Sequence, residues 1–313
     1  MVNGKQNNGG PEERKLAMKF DLYDTSYDHY AAEAQQEVRR ETYGEDIGQT
    51  GWMTTEELCR FLQLLVLDAE SNVLEVGCGA GGCALFMARQ TGCRVTGIDI
   101  NEHGIRNANA LARKQHLQHR VRFERVDASQ PLPFATAEFD AVFSNDAVCH
   151  ITDRSFVLKE WHRVLKPGGR ILFTDAMIVT GIVTQEEIAT RSSIGFYLFL
   201  PPGENERLIS EAGFELLSAG DLTDSTASIS RLWHDARDRR REDLVKIEGE
   251  ANFSGLQRFL ACTHTLSSER RLSRCEYLAR KNGAAPEKSR RPAKSADLRY
   301  QPQTVVTETR KGE

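Results

Sequence analysis

Short apolar runs and longer amphipathic segments alternate along the middle of the chain. Runs rich in Val, Ile, Leu and Phe are typical of strands that are buried on both faces. Segments with apolar residues at every third or fourth position are typical of helices that cover such a sheet. The pattern predicts strands at 72–76, 94–98, 121–125, 139–144 and 170–174 and helices at 82–90, 102–116 and 153–165. This alternation predicts a parallel sheet whose ligands bind beyond the carboxyl ends of its strands.

The flanking regions contain further elements. Upstream, Thr54 and Glu57 have the spacing of a capping box for a helix at 56–67. Lys166-Pro167-Gly168-Gly169 follows the helix at 153–165 and predicts a turn, because proline and glycine cannot continue a helix. Downstream, the pattern predicts helices at 184–191, 205–212 and 225–248 and strands at 213–219 and 274–280.

Both ends of the chain have the composition of tails. Residues 1–18 are rich in Gly, Asn and Lys, and residues 284–313 are rich in Pro, Lys, Arg, Ser and Thr. Such segments bury too little apolar surface to offset the entropy lost on ordering. We therefore expect two disordered tails, an N-terminal lid at 19–50 and one main domain at 51–283.

Composition excludes several classes of protein. A net charge of -4 and a pI near 6.1 leave no basic surface of the kind that nucleic acids require, so we expect no nucleic-acid partner. The sequence contains neither an apolar run long enough for a membrane span nor the apolar core of a secretory signal. Its seven cysteines are scattered without CxxC pairs, which favours reduced thiols in a cytoplasmic protein and predicts no metal site.

The strongest local motif is the glycine-rich segment Glu75-Val76-Gly77-Cys78-Gly79-Ala80-Gly81-Gly82. A strand enters this turn and a helix leaves it. Glycine is needed where the backbone adopts positive φ or approaches a ligand closely. By itself the turn also fits the dinucleotide pattern GxGxxG, so a dehydrogenase stays open at this point.

Acidic residues after successive strands distinguish these two interpretations. Asp99 ends the second strand, where its carboxylate can accept hydrogen bonds from ribose hydroxyls. Asp127 follows the third strand, and Glu75 lies in the first strand just before the glycines. S-adenosylmethionine offers a ribose, an adenine and an ammonium group but no phosphates. Three carboxylates therefore suit S-adenosylmethionine better than they suit a pyrophosphate.

The chain resembles the class I S-adenosylmethionine-dependent methyltransferases. Their successive motifs match, in this order, Glu75 to Gly82, Asp99, Asp127 and Leu165 to Gly169. The resemblance covers about 71–174. It implies a doubly wound, Rossmann-like α/β fold, with a seven-stranded sheet whose last strand is antiparallel. We expect an N-terminal helical lid and a helical insertion after strand five.

The same resemblance implies roles for single residues. Gly77, Gly79 and Gly81 would contact the methionine end of the cofactor, Asp99 its ribose and Asp127 its adenine. The predicted cofactor-binding set is completed by Glu75, Cys78, Ile100, Ala128 and Asn145.

The segment after the fourth strand resembles that of small-amine N-methyltransferases, which act on phosphoethanolamine or on sarcosine and dimethylglycine. These enzymes carry an acid and a histidine at the spacing of Asp146 and His150. They also carry a Gly-Glu-Asp-Ile segment, matched here at 44–47. The same layout occurs in sterol and prenyl-diphosphate C-methyltransferases. The Asn-Pro-Pro-Tyr type of motif, typical of enzymes that methylate exocyclic base nitrogens, is absent after this strand.

His150 and Asp146 are the predicted catalytic residues. His150 could remove a proton from the nucleophile, because an imidazole titrates near neutrality. The alternatives are a packing histidine, and for Asp146 a structural cap. Predicted substrate contacts are Tyr27, Trp52, Phe196 and Tyr197, each of which could equally be buried core.

The predicted reaction is methyl transfer from S-adenosyl-L-methionine to a small-molecule acceptor, with S-adenosyl-L-homocysteine as product. An amine nitrogen is the first expected acceptor, and the aromatic run at 196–199 favours a bulky one. The alternatives are carbon or hydroxyl methylation of an isoprenoid or other apolar compound, and a non-catalytic S-adenosylmethionine-binding protein. The sequence leaves the oligomeric state open.

Overall fold

A computed structural model describes residues 26–283. The predicted tails at 1–18 and 284–313 lie outside these residues. The strands are β1 (Asn72–Val76), β2 (Arg94–Asp99), β3 (Val121–Arg125), β4 (Phe139–Ser144), β5 (Leu165–Val179), β6 (Phe214–Asp221) and β7 (Leu272–Lys281). The helices are α1 (Glu33–Tyr43), α2 (Thr55–Leu65), α3 (Gly82–Thr91), α4 (Glu102–Lys114), α5 (Arg154–Val164), α6 (Gln185–Arg191), α7 (Glu204–Glu211), α8 (Thr223–Arg239), α9 (Arg241–Glu248) and α10 (Glu250–Ser268).

The seven strands form one sheet in the order β3-β2-β1-β4-β5-β7-β6. Strands β1 to β5 are parallel, and β7 runs antiparallel to both β5 and β6. This confirms the predicted Rossmann-like sheet with an antiparallel last strand. The strand order reverses direction between β1 and β4, and the crevice at such a point is where open α/β sheets bind ligands.

Both faces of the central strands β1, β4 and β5 are buried, as the continuous apolar runs predict, whereas the edge strand β6 is mostly exposed. Along β1, Val73 packs into a cluster with α2, α3 and α4, whereas Leu74 packs into a cluster with α5 and α7 on the other face. Successive side chains of a strand point to opposite faces, so a short apolar run serves two layers of helices. Packing against these two layers of helices fixes the positions of the carboxyl ends of β1, β2 and β4 relative to one another.

Helix α1 covers the added helices α8, α9 and α10. Val38 is 1% exposed and packs with Ala236, Leu244 and Phe253. At the border of this contact, Arg240 bonds to Glu37 and Glu41 of α1, and Arg239 also bonds to Glu41. The described part of the predicted lid is therefore docked by a small apolar cluster with ion pairs around it.

The structure refines the predicted elements around the core. The expected helix after strand five is present as α6, and a larger addition of three helices lies between β6 and β7. The single helix predicted at 225–248 is wrong, because α8 ends at Arg239 and α9 begins at Arg241. Helix α10 is not predicted by the sequence analysis. Within residues 26–283, no helix is both long and apolar enough to cross a membrane.

Two predicted local motifs are only partly correct. Thr54 caps α2, where its side chain accepts a hydrogen bond from the Glu57 backbone N–H at 3.0 Å. The Glu57 carboxylate, however, turns to Arg274 instead of completing a capping box. The predicted turn at Lys166–Gly169 lies inside β5, where pairing with β4 is interrupted between Leu165 and Arg170 and Gly168 has a φ of 74°.

Candidate active site

A cavity of about 520 Å³ opens at the carboxyl ends of β1, β2, β4 and β5. It is lined by every residue that the sequence analysis assigned to a site, with one exception: Glu75, Gly77, Cys78, Gly79, Asp99, Ile100, Asp127, Ala128, Asn145, Asp146, His150, Tyr27, Trp52, Phe196 and Tyr197. Residues from distant parts of the sequence meet here because parallel strands end at the same edge of the sheet.

Gly81 is the exception, because it does not line the cavity, and its contact with the cofactor stays a prediction. It is the residue before α3 and has a φ of 80°. A side chain at this position would collide with Phe123 and Ala108. Gly81 therefore allows the strand-to-helix turn to pack against its neighbours, and it does not line the cavity.

Gly77 and Gly79 form the floor of the cavity at the end of β1. Both have positive φ, of 76° and 51°. A Cβ atom at Gly77 would collide with Ala147, and one at Gly79 would collide with the Tyr27 hydroxyl. Only glycine fits either position, because it combines left-handed backbone with close approach.

Asp99 joins the end of β2 to this floor. One carboxylate oxygen accepts a hydrogen bond from the Gly79 N–H at 2.8 Å, and the other accepts one from the Asn101 N–H at 2.8 Å. Burial raises the pKa of Asp99, while these backbone donors act against the rise. After the next strand, β3, Asp127 accepts hydrogen bonds from the Ser129 N–H at 2.9 Å and from the Ser129 hydroxyl at 2.7 Å.

Glu75 is a buried carboxylic acid at the same end of the cavity. Burial raises its pKa well above the ordinary value, and the nearby Asp99 adds to the rise. Among residues 26–283, its Oε2 atom has no hydrogen-bond partner. Buried polar atoms are rarely left unpaired. The amino group of a bound S-adenosylmethionine is a donor that would pair with this oxygen, so the residues present fit this cofactor.

Tyr27 covers the glycine floor from the N-terminal segment. Its hydroxyl lies 3.3 Å from Thr50 Oγ1, and its carbonyl accepts a hydrogen bond from Asn107 Nδ2 at 2.6 Å. Burial raises the pKa of Tyr27, and Asp99 adds to the rise. Tyr27 thus lies at the end of the cavity that the acids occupy.

Asp146 is held in a buried network directly after β4. Its Oδ1 accepts from Arg274 Nε at 2.9 Å, and its Oδ2 accepts from the Trp52 N–H at 3.2 Å. The same guanidinium bonds to Asn145 Oδ1 at 2.9 Å and to Glu57 at 2.8 Å. Both oxygens of Asp146 therefore take part in holding this loop, which is the structural alternative to its predicted catalytic role; the catalytic role itself stays a prediction.

Arg274 is the functional residue of this network that the sequence analysis missed. It lies on β7, more than a hundred residues after Asp146, and is 1% exposed. A buried guanidinium requires anionic or carbonyl partners. Its long separation in sequence from Glu57 and Asp146 left no local signal for the pairing.

His150 ends a short 3-10 helix, Val148–His150, at the other side of the loop. Its Nδ1 lies 2.8 Å from the Phe196 carbonyl oxygen, and its ring centroid is 4.5 Å from that of Tyr197. A carbonyl oxygen can only accept, so Nδ1 carries the proton and the neutral ring has its lone pair on Nε2. Burial lowers the pKa of His150, and the positive charge of Arg191 also lowers it.

Aromatic side chains line the remaining part of the cavity. Trp52 stacks on Phe259 at 6.2 Å between ring centroids and lies 6.0 Å from Trp233. Arg191, the last residue of α6, is buried among these rings. These positions were not predicted from the sequence, because the helices that carry Arg191, Trp233 and Phe259 do not belong to the alternating core pattern. In the described part of the chain, no group of three or more His, Cys, Asp or Glu residues is placed to hold a metal ion.

Comparisons with known proteins agree with this arrangement. The family described as "Methyltransferase domain" matches residues 74–173. The chain is 34% identical over 215 residues to the 27-O-demethylrifamycin SV methyltransferase of Amycolatopsis mediterranei, an alignment that covers 66% of this chain and 78% of that protein. It is 33% identical over 186 residues to the methyltransferase GfsG of Streptomyces halstedii, covering 58% of this chain and 64% of that protein, slightly less than two thirds of its length.

A solved structure shares the fold. Phosphoethanolamine N-methyltransferase 2 of Haemonchus contortus, solved with phosphomonomethylethanolamine and S-adenosylhomocysteine, superposes with a TM-score of 0.70. The superposition covers 84% of this chain and 61% of that chain, at 19% sequence identity. At that level of identity the likeness concerns the fold alone.

Proposed function

The chain belongs to the class I S-adenosylmethionine-dependent methyltransferases, and from this membership we propose that it transfers a methyl group to a heteroatom of a bulky small molecule. An amine nitrogen is the first acceptor. The product of the donor is S-adenosylhomocysteine. A cavity that has three acids at one end and aromatic rings with a histidine at the other supports this proposal.

The acidic end would hold the donor. Gly77 and Gly79 leave room for its methionine part, and the unpaired oxygen of Glu75 would accept from its amino group. Asp99 would accept from the ribose hydroxyls. Asp127, with Ile100 and Ala128 beside it, would hold the adenine. Bound S-adenosylmethionine supplies a methyl carbon on a positively charged sulfur. This sulfur becomes a neutral thioether when the methyl group is transferred.

The single observation that carries the proposal is the state of His150. The Phe196 carbonyl orients the ring through Nδ1, and burial lowers the pKa of His150, which favours the neutral ring. Nε2 is then the atom that accepts the proton of the nucleophile. Proton removal by a positioned side chain typically contributes a factor of about 10² to 10⁴ in rate.

The other residues of the site position the acceptor and exclude water. Asp146 and Asn145 are fixed by Arg274, and through the Trp52 N–H they connect the loop after β4 to the segment that precedes α2. Trp52, Trp233 and Phe259 give the acceptor end an apolar wall. Alignment of the nucleophile in a water-free site can supply most of the acceleration of a displacement reaction.

A hydroxyl group is the second candidate acceptor, and a specific observation favours it. A hydroxyl must lose its proton to become a strong nucleophile, which is the task that a neutral His150 can perform. The rifamycin relative is named for transfer to an oxygen. An amine needs the same step only if it arrives as an ammonium ion.

The atom that is methylated can be identified directly. The protein is incubated with S-adenosylmethionine that carries carbon-13 in its methyl group and with a panel of aromatic amines, alcohols and prenyl compounds. The carbon-13 chemical shift of the product distinguishes methyl groups on nitrogen, oxygen and carbon. We expect an N-methyl signal; an O-methyl signal would select the second candidate, and transfer only to carbon would contradict the proposal.

A further inference from the structure

Arg191 is a buried cation without an ionic partner in the described part of the chain. Its side chain is 1% exposed, and its Nε and Nη1 atoms have no hydrogen-bond partner among residues 26–283. No carboxylate of these residues lies within ion-pair distance. Burying an uncompensated charge destabilises a protein strongly, so such a residue calls for an explanation.

Arg191 contacts three aromatic rings. These rings support the position of its guanidinium but are not hydrogen-bond partners of its Nε and Nη1 atoms. Its guanidinium carbon lies 4.6 Å from the centre of the Phe259 ring, 4.9 Å from that of Tyr197 and 5.6 Å from that of Trp52. Ring faces attract a cation and keep it planar against them. These rings therefore offset part of the charge of the guanidinium, but they provide no oxygen or nitrogen acceptor for its unpaired Nε and Nη1 groups.

The position of Arg191 is inside the candidate active site. It lines the same cavity as His150, and Tyr197 contacts both side chains. Ala176, Ile194 and Leu256 line the cavity too and bring no charge to it. The guanidinium is thus a fixed positive charge at the apolar end of the cavity, apart from the acids that would hold the donor.

We infer that Arg191 binds an oxyanion group of the acceptor, such as a carboxylate or a phosphate. This inference rests on the proposed function and narrows the class of acceptor to compounds that carry an anionic group. A guanidinium presents paired N–H groups that match the oxygens of a carboxylate or phosphate. The acceptor then carries two features, a nucleophilic heteroatom near His150 and an anionic group at Arg191.

Another buried arginine of the same protein provides the contrast. Arg237 is 1% exposed and lies over the Phe253 ring at 5.2 Å, much as Arg191 lies over Phe259. Arg237, however, forms a buried ion pair with Glu248 and lies outside the cavity. The charge of Arg237, whose role is structural, is thus compensated by a carboxylate. The charge of Arg191, which lines the cavity, is not compensated by any carboxylate of residues 26–283.

The test measures binding of simple probes to the protein loaded with S-adenosylhomocysteine. Benzoate, phenyl phosphate and neutral benzamide are titrated by calorimetry into the wild type, Arg191→Met and Arg191→Lys. A charge-assisted hydrogen bond corresponds to about tenfold to a hundredfold in affinity. We expect the wild type to bind at least one of the two anions about tenfold or more tighter than benzamide, and Arg191→Met to lose this preference. Arg191→Lys should keep part of it.

Two controls separate binding from folding. Arg191→Met should retain its affinity for S-adenosylhomocysteine and melt no lower than the wild type, because it removes an unpaired buried charge. Arg237→Met should melt lower, because Glu248 loses its partner, and should keep the preference for anions. The stronger of the two anionic probes identifies the group as a carboxylate or a phosphate.

Equal binding of all three probes by the wild type, or an unchanged preference in Arg191→Met, would overturn the inference. Failure of S-adenosylhomocysteine to bind would instead contradict the proposed function. In that case, the same probes titrated into the unloaded protein still decide the role of Arg191.

Discussion

At the residue scale, Asp146 and His150 lie four positions apart and line the same cavity, but the fold gives them different tasks. Asp146 has a φ of 51° and donates its backbone N–H to Thr174 Oγ1 at 2.9 Å, while Arg274 binds its carboxylate. His150 has its ring oriented by a carbonyl and kept neutral by burial. Asp146 fixes the loop, and His150 is the proton acceptor of the proposed reaction.

Replacement of His150 tests this division of roles. We expect His150→Gln to lower kcat about a hundredfold while the affinity for S-adenosylhomocysteine changes by no more than a few fold. The pKa of His150 is lowered, so the wild-type ring is neutral above that lowered value and becomes a charged, inactive acid as the pH falls through it. The wild-type kcat should therefore fall on the acid side, below the usual range for histidine.

The pH dependence of kcat is measured for both proteins with one identified acceptor. In His150→Gln the acid limb should be absent, although the glutamine amide can still donate to the Phe196 carbonyl. An acid limb of unchanged shape in the variant would remove His150 from the catalytic residues. A rise confined to the KM of the acceptor would make it a positioning residue.

Residues with local patterns were predicted well from the sequence, and residues with distant partners were not. Asp99 and Asp127 each follow a strand in a repeating unit, so their position at the cavity could be read from spacing. Arg274 and Arg191 could not be identified in this way, because their roles depend on contacts made across the whole chain. Gly81 shares the glycine pattern, but its conformation serves packing.

At the element scale, helix α1 connects the added helices to the cover of the cavity. Arg39 of α1 bonds to Asp46 at 2.9 Å, and Tyr43 donates to the Gly51 carbonyl at 2.7 Å. The loop between these two partners lines the cavity. Docking of α1 on α8 and α9 therefore determines where that loop lies.

Apolar packing, more than the surrounding ion pairs, should hold α1 in place. Val38→Ala removes two buried methyl groups and leaves a void, at a cost of about 2 kcal/mol. Glu41→Gln weakens ion pairs with Arg239 and Arg240, but the Glu41 side chain is 34% exposed, and such pairs are worth about 0–1 kcal/mol. Hydrogen exchange of the amides at 33–43 measures the free energy of opening for each variant.

We expect exchange to accelerate about thirtyfold in Val38→Ala, and about fivefold or less in Glu41→Gln. Equal acceleration in both variants would show that charge pairing holds the helix. Moderate salt should then loosen α1 in the wild type as well, since exposed ion pairs are screened.

Most elements of the alternating core were predicted to within one or two residues, but β5 extends five residues beyond the predicted 170–174 at each end, and the added helices were predicted less well. The boundaries of β1, β3 and β4 agree with the apolar runs. Helix α10 was missed, although its buried residues recur at helical spacing: Phe253, Leu256, Phe259, Leu260, Thr263 and Leu266. The break between α8 and α9 had no proline or glycine to mark it, because Arg240 ends one helix and precedes the next.

At the scale of the whole molecule, one sheet edge brings together two chemically different half-sites. The acids of β1, β2 and the segment after β3 line one end of the cavity, and aromatic residues from α8, α10 and the segment before α2 line the other. A donor with a ribose, an adenine and an amino group matches the first end. A bulky acceptor with an anionic group matches the second.

Calorimetry with the product S-adenosylhomocysteine tests whether the acidic end of the cavity binds S-adenosylmethionine. We expect micromolar binding by the wild type and far weaker binding of NAD. Asp99→Ala should lower the affinity for S-adenosylhomocysteine about tenfold to a hundredfold, because two ribose hydroxyls lose a charged acceptor. Asp99→Asn, which keeps an acceptor oxygen for the Gly79 N–H, serves as the matched control and should lose less. Comparable affinity for NAD, or unchanged affinity for S-adenosylhomocysteine in Asp99→Ala, would show that the acidic end is not a site for S-adenosylmethionine.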